Sequence, residues 1–326
     1  MGATVLVTDH VFGGVEMESR VLAEAGYELR EAPDADEATL VELARDATAL
    51  MVCFAQVQEP VVSAAAEGGC RIIARYGIGV DNVDIEAATR AGILVTNVPD
   101  YCLDEVADHA MALLLAAARN VLPAALSVRS GDWTVPKEGV HRLRGRRLAL
   151  LGVGRIGQRV AARARPFGIE VVGFDPFVSD WSQIDAEPAE SLAEAVAEAD
   201  FVSLHAPLTP DTQHMLDDGA IGHMGHAPIV VNTSRGGLVD LEAATRALDD
   251  GRLGGLALDV TEVEPLPEDH PLRKHPRALI TPHMSFHSAE ASEDLQRRTV
   301  EEVLLALSGE PPRSPVNPEV LQGAGT

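Results

Sequence analysis

Short runs of Val, Ile, Leu and Ala, apolar at every position, alternate with longer Ala- and Glu-rich stretches along almost all of the 326 residues. A strand with no polar face has to be buried on both sides, which calls for a parallel sheet with helices above and below it. In the first hundred residues this pattern predicts strands at 4–8, 49–54, 71–75 and 93–96, with helices at 16–25, 36–44, 60–67 and 85–91. A long helix is expected at 104–119, with Asp104 as its N-cap. The alternation then restarts, with strands at 147–151, 170–174, 200–204, 229–232, 255–258 and 278–281 and helices at 156–166, 191–198, 217–223 and 241–250. What remains is an amphipathic helix at 289–308 and a Pro-rich tail, too short for a domain and expected to pack on one of the others. A chain of this length exceeds what one core fills. The expected fold class is α/β, with two doubly wound parallel sheets.

Composition narrows the partners. Lys and Arg total 26 against 50 Asp and Glu, a net charge of −24. That argues against non-specific nucleic-acid binding, which needs a basic surface to displace counterions. Cys53, Cys70 and Cys102 are widely spaced with no CxxC, which suits reduced thiols in a cytosolic protein. The start MGATVLVTDH has no basic region followed by an apolar one, so no signal peptide is expected. The most apolar stretch, 110–118, is bounded by Asp108, His109 and Arg119 and is half the length of a membrane span. A cytoplasmic protein without membrane contact is the expectation.

The segment RRLALLGVGRIGQRVAARA carries Gly152-x-Gly154-x-x-Gly157 directly after an apolar strand and at the opening of a helix. Alone, such glycines are weak evidence. Their placement, together with Asp175 ending the next strand eighteen residues beyond Gly157, marks a dinucleotide site. Gly152 permits a tight turn, Gly154 lets the backbone approach a pyrophosphate, and Gly157 lets helix and strand pack closely; the helix N-terminus attracts the anion. Asp175 would accept hydrogen bonds from ribose hydroxyls and repel a 2′-phosphate, favouring NAD over NADP.

Three further strands end in chemically active residues. VNTSRGGLVD places Arg235, ALDVTEVEPLP places Asp259 and Glu264, and ITPHMSFHS places His283. Successive carboxyl ends of one parallel sheet face a common crevice. Arg235 can hold a carboxylate and polarise a carbonyl with its planar fork of donors. His283 can give or take a proton near neutrality, and Glu264 beside it would stabilise the imidazolium. Each has a blander reading: a surface charge, a residue before a Pro-rich turn, a helix cap. Their combination beside a dinucleotide loop favours chemistry.

At this point the chain resembles the D-isomer-specific 2-hydroxyacid dehydrogenases along nearly its whole length. The resemblance is carried by RYGIGVDN (75–82), NVPDYCLDEVA (97–107), the glycine loop, HAPLT (205–209), NTSRGGLVD (232–240), 257–265 and TPH (281–283). It implies a flavodoxin-like substrate domain, 1–98 plus 287–326, and a Rossmann NAD-binding domain, 99–286, with a cleft between them. It implies a triad of Arg235, Glu264 and His283, and a substrate held by Tyr76, the backbone amides of Ile78 and Gly79, Arg235 and Phe286. The cofactor would be met by Gly152, Gly154, Arg155, Ile156, Gly157, Asp175, His205, Pro207, Thr212, Thr233, Ser234 and Asp259. Family members are usually homodimers, joined through the nucleotide domain and the helix matching 104–119. NVPDYCLDEVADHA and TPHMSFHS most resemble the branch of the C-terminal-binding-protein corepressors and phosphoglycerate dehydrogenases. Phe286-His287 departs from the Trp-Tyr common in that branch. Glu264 disfavours formate oxidation, and no C-terminal regulatory domain, hence no serine feedback, is expected.

The implied activity is NAD-dependent interconversion of a small 2-oxo acid and its D-2-hydroxy acid. Alternatives are an NAD(H)-sensing, partner-binding protein of the corepressor type and a phosphite- or phosphonate-directed dehydrogenase on the same scaffold. No metal site is expected: His283 and His287 have helical spacing, but no carboxylate or thiol is convincingly placed beside them. Arg142, Arg144, Arg146 and Arg147 read as a solvated turn, with an anion site as the alternative. Gln56 and Tyr76 are candidates to line the pocket, and Trp133 reads as a packing anchor.

Overall fold

The computed structural model describes residues 3–135, 139–140 and 142–323. The chain divides into two compact units, Met1–Tyr101 with Ser288–Thr326, and Cys102–His287.

The first unit runs β1 (Thr4–Val7), α1 (Glu16–Glu24), β2 (Glu28–Glu31), α2 (Glu37–Ala44), β3 (Ala47–Val52), α3 (Glu59–Glu67), β4 (Ile72–Arg75), α4 (Ile85–Arg90) and β5 (Leu94–Thr96). All pairings are parallel, in the order β2-β1-β3-β4-β5, the flavodoxin-like winding. The central strands β3 and β4 are buried on both faces, as their mainly apolar sequences, ATALMV and IIAR, require. Strand β2, ELRE, has no apolar run. It sits at the sheet edge with three exposed charged residues, which is why a search for buried strands passes over it.

The second unit runs α5 (Leu103–Ala118), α6 (Val121–Arg129), β6 (Arg147–Leu151), α7 (Arg155–Ala164), β7 (Glu170–Phe174), β8 (Glu187–Pro188), α8 (Leu192–Ala197), β9 (Phe201–Leu204), α9 (Asp218–Gly222), β10 (Ile229–Asn232), α10 (Leu241–Asp249), β11 (Gly255–Leu258) and β12 (Ala278–Ile280). Its parallel sheet has the order β12-β11-β10-β9-β6-β7-β8, the Rossmann winding with one added strand. Winding reverses at β6, between β7 on one side and β9 on the other, so a crevice opens at the carboxyl ends of β6 and β9. Helices α11 (Ala289–Ser308) and α12 (Glu319–Gly323) return to the first unit, where Leu295, Val300 and Val303 join its core.

Two expectations are corrected and a third, the solvated arginine turn, is met in part, since Arg142 and Arg144 are exposed beside a turn at 144–145. Helix α5 begins one residue early, with Cys102 at its N-cap. Asp104 lies in its first turn and pairs with Arg159 and Arg163 of α7 (2.8 Å to Arg163 Nη2), and Arg163's hydrogen bond holds its carboxyl below the usual range. Trp133 is 88% exposed, so it anchors no packing. Arg146 and Arg147 lie at the amino end of β6, opposite the glycine loop. There Arg146 pairs with Asp200 at 2.6 Å and the Arg147 amide donates to the same carboxylate at 2.9 Å. Among the described residues no single helix is long and apolar enough to cross a membrane; α5 and α6 form a pair bent by 64°.

Candidate active site

The glycine loop leaves β6 at the winding reversal. Gly152 has φ +94°, and a Cβ there would lie 2.6 Å from the His205–Ala206 backbone, so both its conformation and its contact require glycine. A Cβ on Gly157 would meet the Gly152 carbonyl, whereas a Cβ on Gly154 would point into open space. Gly154 is also the N-cap of α7, and no side chain caps that helix. The amino end of a helix favours an anion. Asp175 is tied to the loop: its carboxylate accepts from the Val153 amide at 2.8 Å and from the Phe177 amide at 3.0 Å.

Neighbouring strands add to this edge. His205 follows β9, with Nε2 2.8 Å from Ser203 Oγ; burial pushes its pKa down to about 4, so the ring is neutral at pH 7. Thr212 donates to the Pro207 carbonyl at 2.6 Å and Ser234 to the Leu204 carbonyl at 2.8 Å, so both hydroxyls shape their loops. Thr233 Oγ1 and His205 Nδ1 are buried with no hydrogen-bond partner among the described residues. Two such orphaned atoms in loops expected to meet a dinucleotide, together with the open face at Gly154, fit that class of cofactor.

Arg235, Asp259 with Glu264, and His283 follow β10, β11 and β12, three adjacent parallel strands. Asn232, fully buried, folds the first of these loops: its amide donates to the Arg235 carbonyl at 2.8 Å and its Oδ1 accepts from the Ser234 amide at 3.0 Å. The loop then packs backbone to backbone against the next, since a Cβ on Gly236 would collide with Thr261 and Glu262. That approach brings the Arg235 turn to the loop carrying Glu264. Glu264 is held by the Thr261 amide at 2.9 Å and contacts His283 Nδ1 at 2.7 Å. An ionised carboxylate only accepts, so Nδ1 carries the proton on the Glu264 side of the ring. Phe286 stands edge-on to His283, with ring centroids 6.4 Å apart. His287 meets Phe286 in turn, at 6.2 Å.

His283 itself sits at φ +49°, a left-handed conformation that a non-glycine residue adopts at a cost. Asp259 holds it there. The Asp259 carbonyl accepts the His283 amide at 2.8 Å, and its carboxylate accepts the amides of Met284 and Ser285 at 3.0 and 2.8 Å. The same carboxylate takes the Thr281 hydroxyl at 2.5 Å, and His109 of α5 reaches Thr281 Oγ1 at 3.0 Å. His109 was not among the residues expected at the site; its only sequence signal is a polar residue at the border of an apolar helix.

In the first unit, the loop after β4 is held by side-chain amides. Asn97 donates to the Ile78 carbonyl at 2.6 Å, and Asn82 to the carbonyls of Cys53 and Ala55 at 3.2 and 2.8 Å. The N–H groups of Ile78, Gly79 and Val80 find no acceptor among the described residues. Three successive amides without a protein acceptor are candidate donors to an anion. Tyr76 does not share in it. Its ring is buried against Phe12 and its hydroxyl donates to Glu18 at 3.0 Å, so it belongs to the core and not to a pocket wall. Gln56 is exposed on the loop after β3, whose amides at Cys53, Phe54 and Ala55 are gathered by Asp9 at 3.0, 2.6 and 3.1 Å.

The chain is similar to known proteins along most of its length. The profile of the D-isomer specific 2-hydroxyacid dehydrogenase NAD binding domain matches residues 111–285. A D-3-phosphoglycerate dehydrogenase of Methanocaldococcus jannaschii is 37% identical over 316 residues, 96% of this chain; the chain spans only 59% of that relative's length. A glyoxylate reductase of Korarchaeum cryptofilum is 38% identical over 300 residues, covering 90% of this chain and 89% of the relative. The crystal structure of a Thermus thermophilus protein superposes with a TM-score of 0.87 at 38% identity, covering 96% of this chain and 99% of that one.

Proposed function

The chain belongs to the D-isomer specific 2-hydroxyacid dehydrogenase family, and on that premise we propose that it interconverts a small 2-oxo acid and its D-2-hydroxy acid with NAD(H). The observation that carries this reading is the 2.7 Å contact between His283 Nδ1 and Glu264, on the strand end next to the one that leads to Arg235. The nicotinamide, when bound, supplies or accepts a hydride. Everything else falls to the chain. His283 Nε2 gives a proton to the carbonyl oxygen in reduction and takes it back in oxidation, and Glu264 stabilises the imidazolium and fixes the ring. Arg235 orients the substrate carboxylate and polarises the carbonyl. Ile78 and Gly79 are the first unit's candidate donors to an anion, and Phe286 bounds the substrate beside His283.

Gly152, Gly154, Arg155, Ile156 and Gly157 would cradle the pyrophosphate. His205, Pro207, Thr212, Thr233, Ser234 and Asp259 would complete the cofactor's surroundings. Asp175, its carboxylate anchored by two backbone amides, accepts the ribose hydroxyls and repels a 2′-phosphate, which is the case for NAD. A homodimer is supported by α6, where Val121, Leu122, Leu126 and Val128 are all exposed and no residue is buried; a second copy would cover them. The buried thiols Cys53, Cys70 and Cys102 suit a reducing cytoplasm.

The test is NADH oxidation against glyoxylate, hydroxypyruvate, pyruvate, phenylpyruvate, 2-oxoglutarate and phosphonopyruvate, with NAD reduction by phosphite as the contrast. Turnover of at least one 2-oxo acid is expected; turnover of phosphite alone, or of none of them, overturns the reading. Asp175→Ala should shrink the preference for NAD over NADP by about 10-fold or more, as loss of one charge-assisted hydrogen-bonding partner and one repulsion implies. An unchanged cofactor ratio would refute the charge argument.

A further inference from the structure

The Asp259 carboxylate is fully buried, and its acceptor capacity is spent around one turn: on Thr281, two residues before His283, and on Met284 and Ser285, the two residues after it. A hydroxyl has a single proton. Thr281 gives its proton to the carboxylate at 2.5 Å, so the 3.0 Å contact with His109 has to run the other way, from ring Nε2–H to Thr281 Oγ1. His109 Nε2 is also 3.6 Å from Asp259 Oδ1. The result is a directed chain, imidazole to hydroxyl to carboxylate, in which each donor polarises the next. Its anchor is a packed helix. Helix α5 lies over the sheet, with Ala110, Leu113 and Leu114 packed in one cluster with Val231 of β10 and Ala257 of β11. The turn at the other end is the strained one, with His283 at φ +49°.

We propose that His109 is a positioning residue for this site: acting through Thr281 and Asp259, it holds the His283 turn in the left-handed conformation that seats the imidazole on Glu264. The proposal rests on the assignment of His283 as the proton-transfer group. It explains a polar side chain at the edge of an otherwise apolar helix. It also gives the buried Asp259 carboxylate a function, organising the turn that carries His283.

The experiment compares His109→Leu, His109→Gln and Thr281→Val in the full chain, with glyoxylate and hydroxypyruvate as substrates. His109→Leu should lower kcat by about 10–100-fold, the scale of a misplaced catalytic group, with KM and NADH affinity within about 3-fold of wild type. Gln carries an amide donor at nearly the reach of Nε2, so His109→Gln should recover most of that loss. Hydrogen exchange at the Met284 and Ser285 amides should speed up in His109→Leu and Thr281→Val and stay slow in His109→Gln. Should His109→Leu fail to fold, Thr281→Val cuts the same chain one step later and carries the same expectations. Unchanged kcat, no rescue by Gln, or unchanged exchange at Met284 and Ser285 would overturn the positioning role. A wild-type enzyme inert toward every 2-oxo acid would instead overturn the assigned reaction, and the exchange comparison would still decide whether His109 holds the turn.

Discussion

At the carboxyl edge of the first sheet, the loop after β4 offers backbone N–H groups; at the same edge of the second, the loops after β10, β11 and β12 offer a guanidinium, two carboxylates and an imidazole. The two sheets are wound by one rule and present their loops in the same way. They differ in what fixes those loops. In the first unit, neutral Asn82 and Asn97 and the carboxylate of Asp9 gather carbonyls and amides, leaving the open donors of Ile78 to Val80 as a passive surface. In the second, Asp259 and Asn232 bend their loops so that titratable side chains meet. A shared fold therefore tells where a site lies, and the side chains on each edge tell whether it binds or reacts.

That contrast makes a graded set of predictions. On the reacting edge, His283→Ala should lower kcat by about 10²–10⁴-fold, the usual contribution of general acid–base catalysis. On the binding edge, Asn97→Ala removes the hydrogen bond to the Ile78 carbonyl and loosens the donor surface. A bond of this kind is worth about 1 kcal/mol, so KM for the 2-oxo acid should rise by about 5–10-fold with kcat nearly unchanged. Steady-state kinetics on both variants would erase the contrast if Asn97→Ala lost kcat and His283→Ala lost only KM.

The smallest effect concerns stability. The pKa of His205 falls from 6.5 to about 4 in the folded chain because burial disfavours its charged form. Between those values the unfolded chain binds the extra proton, so His205 favours folding fully above about pH 6.5 and this contribution is lost as the pH drops toward 4. The difference is worth at most about 3 kcal/mol. Thermal unfolding of His205→Gln should show a flatter decline of Tm across that window than wild type; parallel curves would contradict the assignment.

Both sheets were readable from the sequence because buried parallel strands are mainly apolar, and β3, β4, β6 and β9 to β11 are of that kind, each with at most one polar residue. Strand β2 and helix α6 were not. The first is a charged edge strand, and the second is apolar without a buried face, so neither shows the periodicity that burial imposes. Arg235, Glu264 and His283 could be placed at strand ends because each follows such a run. The Nδ1–Glu264 contact, the left-handed φ of His283 and the chain from His109 to Asp259 could not, since they join residues 19 to 172 positions apart. Tyr76 shows the reverse error. A loop beside a ligand edge suggests exposure, but its neighbours Phe12 and Glu18 come from the other end of the unit's sequence and draw the ring inward.

Proton transfer by His283 is tested most directly by a single-turnover measurement. Wild type and His283→Ala, both saturated with NADH, are mixed with the best 2-oxo acid substrate and the loss of NADH fluorescence is followed. Equal NADH affinity with a rate lowered by about 10²–10⁴-fold in the variant is the predicted result; a variant that oxidises its bound NADH as fast as wild type would contradict it.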